Sequence, residues 1–246
     1  MKTHYWFTAL LFCVLASCPS FSLTPVLKVG VDATYSPLES IDTKGAYIGF
    51  DIELMQMIAV DMKMELQLQD TRWDAIIPGL QNGNYDCLIS AMTITPERRK
   101  LIDFSTPYLT IRQALVVKAG NKSIKTPNDL SGKTVAVQRN TTGDVFASNI
   151  KGANMKRFDT NPLAVKEILG ARADAVVMDD IAAYDTAKNN KELAVVEMPT
   201  LDKECYGIGV KKGNAILLSK INNAIGKLNK NGKLAALIQK YKPVKS

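Results

Sequence analysis

The chain has 246 residues, 46% of them hydrophobic and 22% charged, with a formal net charge of +7; this is globular composition, enough for one large domain or two small lobes. The lysines are scattered and no aromatic-interleaved basic stripe appears, which disfavours nucleic acid as a partner and leaves a basic secreted domain facing an anionic surface as a sufficient reading. The only histidine, His4, falls in the N-terminal leader, so a Ser-His-Asp or Cys-His triad, an HExxH zinc site and a histidine proton shuttle are excluded.

Residues 1–22 open with Lys2, continue with an apolar run from Tyr5 to Ala16 and close on small residues. The run is too short to span a bilayer and reads as a secretory signal peptide. Two processing sites stay open. "SFS" (Ser20 to Ser22) suits an ordinary signal peptidase, whereas "LASC" (Leu15 to Cys18) resembles a lipobox that would leave Cys18 lipidated. No long polar spacer follows Cys18, which favours the soluble product. Cleavage removes Lys2 and no acid, and leaves Cys87 and Cys205 as the remaining cysteines. A disulfide between them and a buried thiol at Cys87 are both open readings.

After the leader, "VLKVGVD" (Val26 to Asp32) reads as a β-branched strand ending in a polar residue. "YIGFDIELMQMIAVDM" reads as a helix, with Gly49 and Asp51 as cap signals and Ile52, Met55, Ile58 and Met62 near helical spacing. "MELQLQD" alternates as a strand, "WDAIIPGLQNG" is a short helix closing on Gly83, and "YDCLISA" is a buried strand. "SAMTITPERRKLIDFSTPY" (Ser90 to Tyr108) then sets three hydroxyls and a Pro-Glu-Arg-Arg turn directly after that apolar run, which is poor core material. Further on, "KTVAVQ" is a strand, "RNTTGD" a polar loop and "VFASNI" a helix start. "NPLAVKEILGARA" is amphipathic, "DAVVMDD" is a strand ending in acids and "CYGIGV" is one more strand. The final stretch, "ILLSKINNAIGKLNKNGKLAALIQKYK", gives two helices punctuated by Gly232. Alternation of this kind predicts an α/β fold of parallel sheets covered by helices.

Asp32, Ser90 to Thr93, Gln138 to Gly143, and Asp179 with Asp180 all fall just past the carboxyl ends of expected strands. That edge is where open α/β sheets bind ligands. One acid after a strand is ordinarily a helix N-cap; four polar clusters in one chain are harder to explain so. Neither GxGxxG nor GxxxxGK[ST] occurs, so no nucleotide cofactor, and no cofactor of any kind, is expected.

These segments resemble the bacterial family 3 extracellular solute-binding proteins, the periplasmic amino-acid receptors of ABC importers. The resemblance rests on "GFDIELMQMIAVDM", "DATYSPLES", "WDAIIPGLQNGNYDCLISAMTITPERRKLIDFSTPY", "LSGKTVAVQRNTTG" and "RADAVVMDD", in order, and runs from about Leu27 to Tyr241. It implies the two-lobed periplasmic-binding-protein fold with parallel-sheet lobes joined by two crossover strands. Lobe 1 would comprise residues 27–107 and 207–246, lobe 2 residues 113–201, and the crossovers residues 108–112 and 202–206. It also implies a periplasmic location, a membrane permease as partner, and a monomer with no enzymatic activity.

An amino-acid zwitterion stripped of water needs a partner for each charge. By resemblance, Arg98 takes the α-carboxylate with two parallel N–H bonds, assisted by a backbone amide at Thr142. Asp179 takes the α-ammonium, with the Ala91 carbonyl and the Thr93 hydroxyl beside it and Ser90 adjacent. Arg99 is the neighbour most easily confused with Arg98 and reads as solvated surface; a structural ion pair is the competing role for Arg98 itself. Tyr35 and Trp73 match the family's stacking positions and would form the walls of a flat slot, suited to a planar cation. Asp32 matches the acid that receives a side-chain nitrogen, Glu39 is a further candidate acid, and Gln138 is a possible contributor from lobe 2. The implied ligand is a basic L-amino acid: arginine first, then lysine, ornithine or histidine. Glutamine is the alternative, weakened because Met178 stands where the glutamine receptors carry a histidine. A second alternative is an enzyme resembling the cyclohexadienyl dehydratases, with a cleft carboxylate as general acid.

Overall fold

The structure, a computed structural model, describes residues 24–242. The signal peptide expected over residues 1–22, with both processing sites, lies outside the described residues. The chain begins with β1 (Val26–Val31) and a small meander of β2 (Thr34–Tyr35), β3 (Glu39–Ile41) and β4 (Tyr47–Ile48). There follow α1 (Phe50–Asp61), β5 (Glu65–Asp70), α2 (Trp73–Asn82), β6 (Cys87–Leu88), α3 (Pro96–Leu101) and β7 (Ile102–Phe104). Next come β8 (Leu109–Ile111), β9 (Gln113–Lys118), β10 (Thr134–Gln138), α4 (Thr142–Ser148), β11 (Asn154–Phe158) and α5 (Asn161–Leu169). Then β12 (Ala175–Asp179), α6 (Asp180–Asn189) and β13 (Leu193–Glu197) lead to β14 (Glu204–Tyr206), β15 (Gly209–Lys211), α7 (Ala215–Lys230) and α8 (Lys233–Tyr241).

Two five-stranded sheets, ordered β5-β1-β6-β15-β7 and β11-β10-β12-β9-β13, form the centres of two α/β domains. Both are mixed rather than wholly parallel. β1 runs parallel to β5 and β6, and β10 runs parallel to β11 and β12. β15 is antiparallel to β6, and β9 is antiparallel to β12. The reason lies in the connections. A parallel step needs a crossover of about a dozen residues or more, but β9 follows β8 after a single residue and so continues the direction in which the chain arrives. β8 and β14 pair with each other as an antiparallel ribbon between the two sheets. The expected strand "CYGIGV" is accordingly two strands, one in the ribbon and one in the first sheet.

Each sheet is covered on both faces. In the first domain α1, α7 and α8 pack on one face, with Phe50, Leu54, Ile58, Ile221 and Leu237 in the core, while α2 covers the other through Ile76 and Leu80. The second sheet carries Val116 and Val176 on one face, in a core shared with Ile168 of α5, and Leu115, Val135 and Val177 on the other. Cys87 lies in the first core and Cys205 on the ribbon is half-buried; both thiols are free.

Three local expectations are corrected. Gly49 does occupy the N-cap of α1, at φ 129°, but Asp51 caps nothing. Its carboxylate is fully buried and accepts from the Ala91 amide (2.7 Å) and the Tyr108 hydroxyl (2.9 Å), tying α1 to the end of β6 and the start of the ribbon. The polar loop expected over "RNTTGD" is partly helix: α4 starts at Thr142, and the Thr141 hydroxyl caps it by accepting from the Asp144 amide at 3.1 Å. The turn expected at Pro96 is also a helix start, with Thr95 as its cap and Pro96 in its first turn.

Candidate functional site

The carboxyl ends of β1, β6, β10 and β12 face a cavity between the two domains, the sheet edge at which α/β folds take small ligands. Asp32, Tyr35, Glu39, Trp73, Ser90, Ala91, Thr93 and Arg98 line it from the first domain, and Gln138, Thr142 and Asp179 from the second. The sequence-named residues therefore come together around one space. Gln113, Thr141, Gly143, Asn161, Val177 and Met178 line it as well.

At one end stand opposite charges. Arg98, carried by α3, donates from Nη1 to the Thr93 carbonyl (2.8 Å) and from Nη2 to the Asn140 carbonyl (3.2 Å), and its guanidinium lies 5.1 Å from the centre of the Trp73 ring. Burial lowers its pKa to about 10, against the opposing pull of Asp179 and Glu204, so it stays cationic at neutral pH. A guanidinium has five N–H donors; two are engaged by these carbonyls and others remain for an anion. Arg99 lies elsewhere, over the Phe104 ring at 5.9 Å.

Asp179, the last residue of β12, accepts from Gln113 Nε2 (2.6 Å) through Oδ1, and from the Tyr35 (3.0 Å) and Tyr206 hydroxyls through Oδ2. Burial raises its pKa to about 6, and the charge of Glu204 adds to the rise while these donors resist it. A carboxylate offers about four lone-pair sites, so three neutral donors leave room for one cationic donor. Gln113 Nε2 also reaches Glu204 Oε1 and the Thr142 hydroxyl, both at 3.2 Å, and the Thr93 hydroxyl donates to Glu204 Oε2 at 3.0 Å. Tyr35, expected as a wall, thus also reaches across to the second domain with its hydroxyl. Trp73 does the same, its indole N–H donating to the Asn140 carbonyl at 3.3 Å.

Asp32 also lines the cavity and is buried, and desolvation raises its pKa, with the charge of Asp70 contributing. Its carboxylate accepts from the Thr34 hydroxyl (2.7 Å) and, across the cleft, from Gln138 Nε2 (3.4 Å). Ser90 accepts from the Asp32 amide (3.0 Å) and donates to Glu39 Oε1 (2.7 Å). Glu39 is wholly buried, and burial together with Asp51 raises its pKa well above the ordinary carboxyl range. Burial and the neighbouring Asp51 both disfavour its charged form, and its place in the cavity wall comes with a carboxyl turned to Ser90 and Asp51.

The residues missed from the sequence are Gln113, Asn161 and Glu204. Gln113 opens an otherwise apolar strand, "QALVVK", and a polar residue there was the available signal. Asn161 sits in the first turn of α5, where Asn is ordinary, and Glu204 lies in the ribbon, where nothing in the local pattern marks it.

This architecture has counterparts among known proteins. The family model for bacterial extracellular solute-binding proteins, family 3, matches residues 27–244. The chain is 34% identical over 217 residues to the L-cystine-binding protein TcyJ of Escherichia coli (strain K12), covering 87% of this chain and 82% of that protein. An ancestral arginine-binding protein solved with arginine superposes with a TM-score of 0.84 at 40% identity, over 88% of this chain and 98% of that one. An ancestral arginine-binding protein solved with glutamine superposes with a TM-score of 0.85 at 39% identity, over 90% and 100%. Built from two mixed α/β domains around a polar cleft and matched over nearly all its described length, the chain belongs to the bacterial extracellular solute-binding proteins of family 3.

Proposed function

We propose that this protein is the periplasmic receptor of an amino-acid ABC importer, that it binds a basic L-amino acid, arginine first, and that it delivers it to a membrane permease. The observation that carries the reading is that Arg98, the neighbouring Asp179 and the Asp32 carboxylate all line one cavity. Arg98 receives the α-carboxylate and Asp179 the α-ammonium, while Asp32 faces the side-chain nitrogen. Lysine and ornithine carry the same charges with different reach, and histidine carries a side-chain cation only below about pH 6.5.

Glutamine is the second reading, supported by the glutamine-bound ancestral arginine-binding protein and by the acceptors at the Asp32 end, which also suit a primary amide. Catalysis is the weaker reading: Asp179 and Asp32 accept hydrogen bonds from neighbouring side chains, and Glu39 is sequestered behind Ser90. The test is a thermal-shift screen of the proteinogenic amino acids and ornithine on wild type and Asp32→Asn, since a ligand raises apparent stability by mass action. Basic amino acids should give the largest shifts, and Asp32→Asn should reduce the arginine shift far more than the glutamine shift. Equal reductions for both would remove the argument from charge.

A further inference from the structure

Gln138 holds the key to an amide chain that crosses the cleft. Its Nε2 donates to the Asp159 carbonyl (3.1 Å) and to Asp32 Oδ2 (3.4 Å). The Asp159 carbonyl is a pure acceptor, so the amide can be placed only with its nitrogen towards it. Gln138 Oε1 must then face Asn161, whose Nδ2 donates to it at 2.8 Å. That fixes the second amide in turn and leaves Asn161 Oδ1 on the other side. Asn161 is 6% exposed and lines the cavity, and its Oδ1 is buried without a protein partner. Buried acceptors are rarely left unmade, and each unmet one is costly.

We propose that Asn161 is a ligand-contact and specificity-determining residue whose Oδ1, together with the Asp32 carboxylate, receives the N–H donors at the far end of the ligand side chain. The ligand class this selects is an amino acid that carries a distal group with N–H bonds pointing in more than one direction: a guanidinium best, an ammonium or primary amide next. Thioethers, alkyl chains and carboxylates supply no donor there and leave the Asn161 acceptor unmet. Gln138 acts as a positioning residue: both functions of its amide are engaged, and it holds the Asp32 and Asn161 side chains in register from opposite sides of the cleft. The inference rests on the amino-acid-receptor reading and narrows it.

The test is calorimetric titration of the full mature protein with L-arginine and with L-norvaline, which keeps the α-groups and lacks a distal donor. Asn161→Leu preserves approximate size and removes the acceptor; Asn161→Ala is the second variant should leucine not fold. Loss of an acceptor for a charged donor should weaken arginine by about tenfold to a hundredfold. Norvaline should be unchanged or bind more tightly, because the orphan acceptor is gone. Equal loss of both ligands shows a structural role and overturns the assignment, as does arginine binding at wild-type strength in both variants. A wild-type protein whose tightest ligand is an amino acid without a distal N–H overturns it too. A wild-type protein that binds no amino acid at all, with a folded-state melt intact, instead overturns the receptor reading on which it rests.

Discussion

The Asp179 carboxyl accepts hydrogen bonds from Tyr35, Gln113 and Tyr206, residues drawn from three separate stretches of chain. Burial outweighs these donors and raises its pKa to about 6. Two consequences have opposite signs. The charged form is the one an ammonium needs, so affinity for an amino acid should fall about tenfold per pH unit below about 6, and binding near pH 5.5 should release protons to buffer. Titration calorimetry across pH, in buffers of differing ionisation enthalpy, would check it; Asp179→Asn should bind weakly with a flatter profile. For the ligand-free fold the raised pKa is a cost of charging a buried acid. The stability that Asp179 contributes is fully present below the ordinary aspartate pKa of 3.8 and is lost as pH rises through about 6. Asp51, raised to about 6 by burial, behaves alike. An affinity that is level from pH 4.5 to 8 would contradict the assignment of Asp179 to the ammonium.

The element on which the site leans is the turn from the small meander into α1. Gly49 has φ 129° and ψ 175°, a region open essentially to glycine alone, and a Cβ there would run into the backbone carbonyl of Leu38. Gly49→Ala should therefore destabilise by about 3 kcal/mol, combining backbone strain with an overpacked contact, as read by urea unfolding of the ligand-free protein. A change below about 0.5 kcal/mol would show that the turn relaxes freely. At this scale much was legible from sequence. Apolar runs followed by polar residues mark Asp32, Ser90, Gln138 and Asp179 because strand ends are where a buried pattern must stop. α1, α2, α7 and α8 follow from periodicity and from Gly83 and Gly232, both in left-handed conformation. What escaped were roles set by distant partners. Asp51 has the local appearance of a helix-start acid, yet its partners are Ala91 and Tyr108; Asn161 has that of a first-turn asparagine, yet its partner is Gln138. Nothing within a few residues of either distinguishes these outcomes. The parallel expectation holds for most strands of each sheet; β9 and β15 depart from it because their direction is set by the ribbon that feeds them rather than by their own residues.

Taken whole, the molecule has two domains in contact across their cleft through several polar ties. Tyr35 reaches Asp179, Ser36 donates to Asp185 at 2.9 Å, and Arg72 lies 3.8 Å from Asp159 at the exposed rim. The Asn140 carbonyl accepts from both Arg98 and Trp73. Rim pairs of this kind contribute little, about 0–1 kcal/mol; the buried ties around Arg98 and Asp179 carry more. A ligand shifts the balance between open and closed forms only through contacts it makes better in one of them. On the proposed reading, those contacts come from Arg98 in one domain and Asp179 in the other, holding the two charges of one zwitterion. Titration calorimetry with L-arginine and with agmatine, its analogue lacking the α-carboxylate, tests that requirement directly. Arginine should bind with a dissociation constant of about 1 μM or tighter, roughly −8 kcal/mol or better, and agmatine at least about a hundredfold more weakly, because Arg98 would be left buried without its anion. Equal affinity for the two would contradict the account.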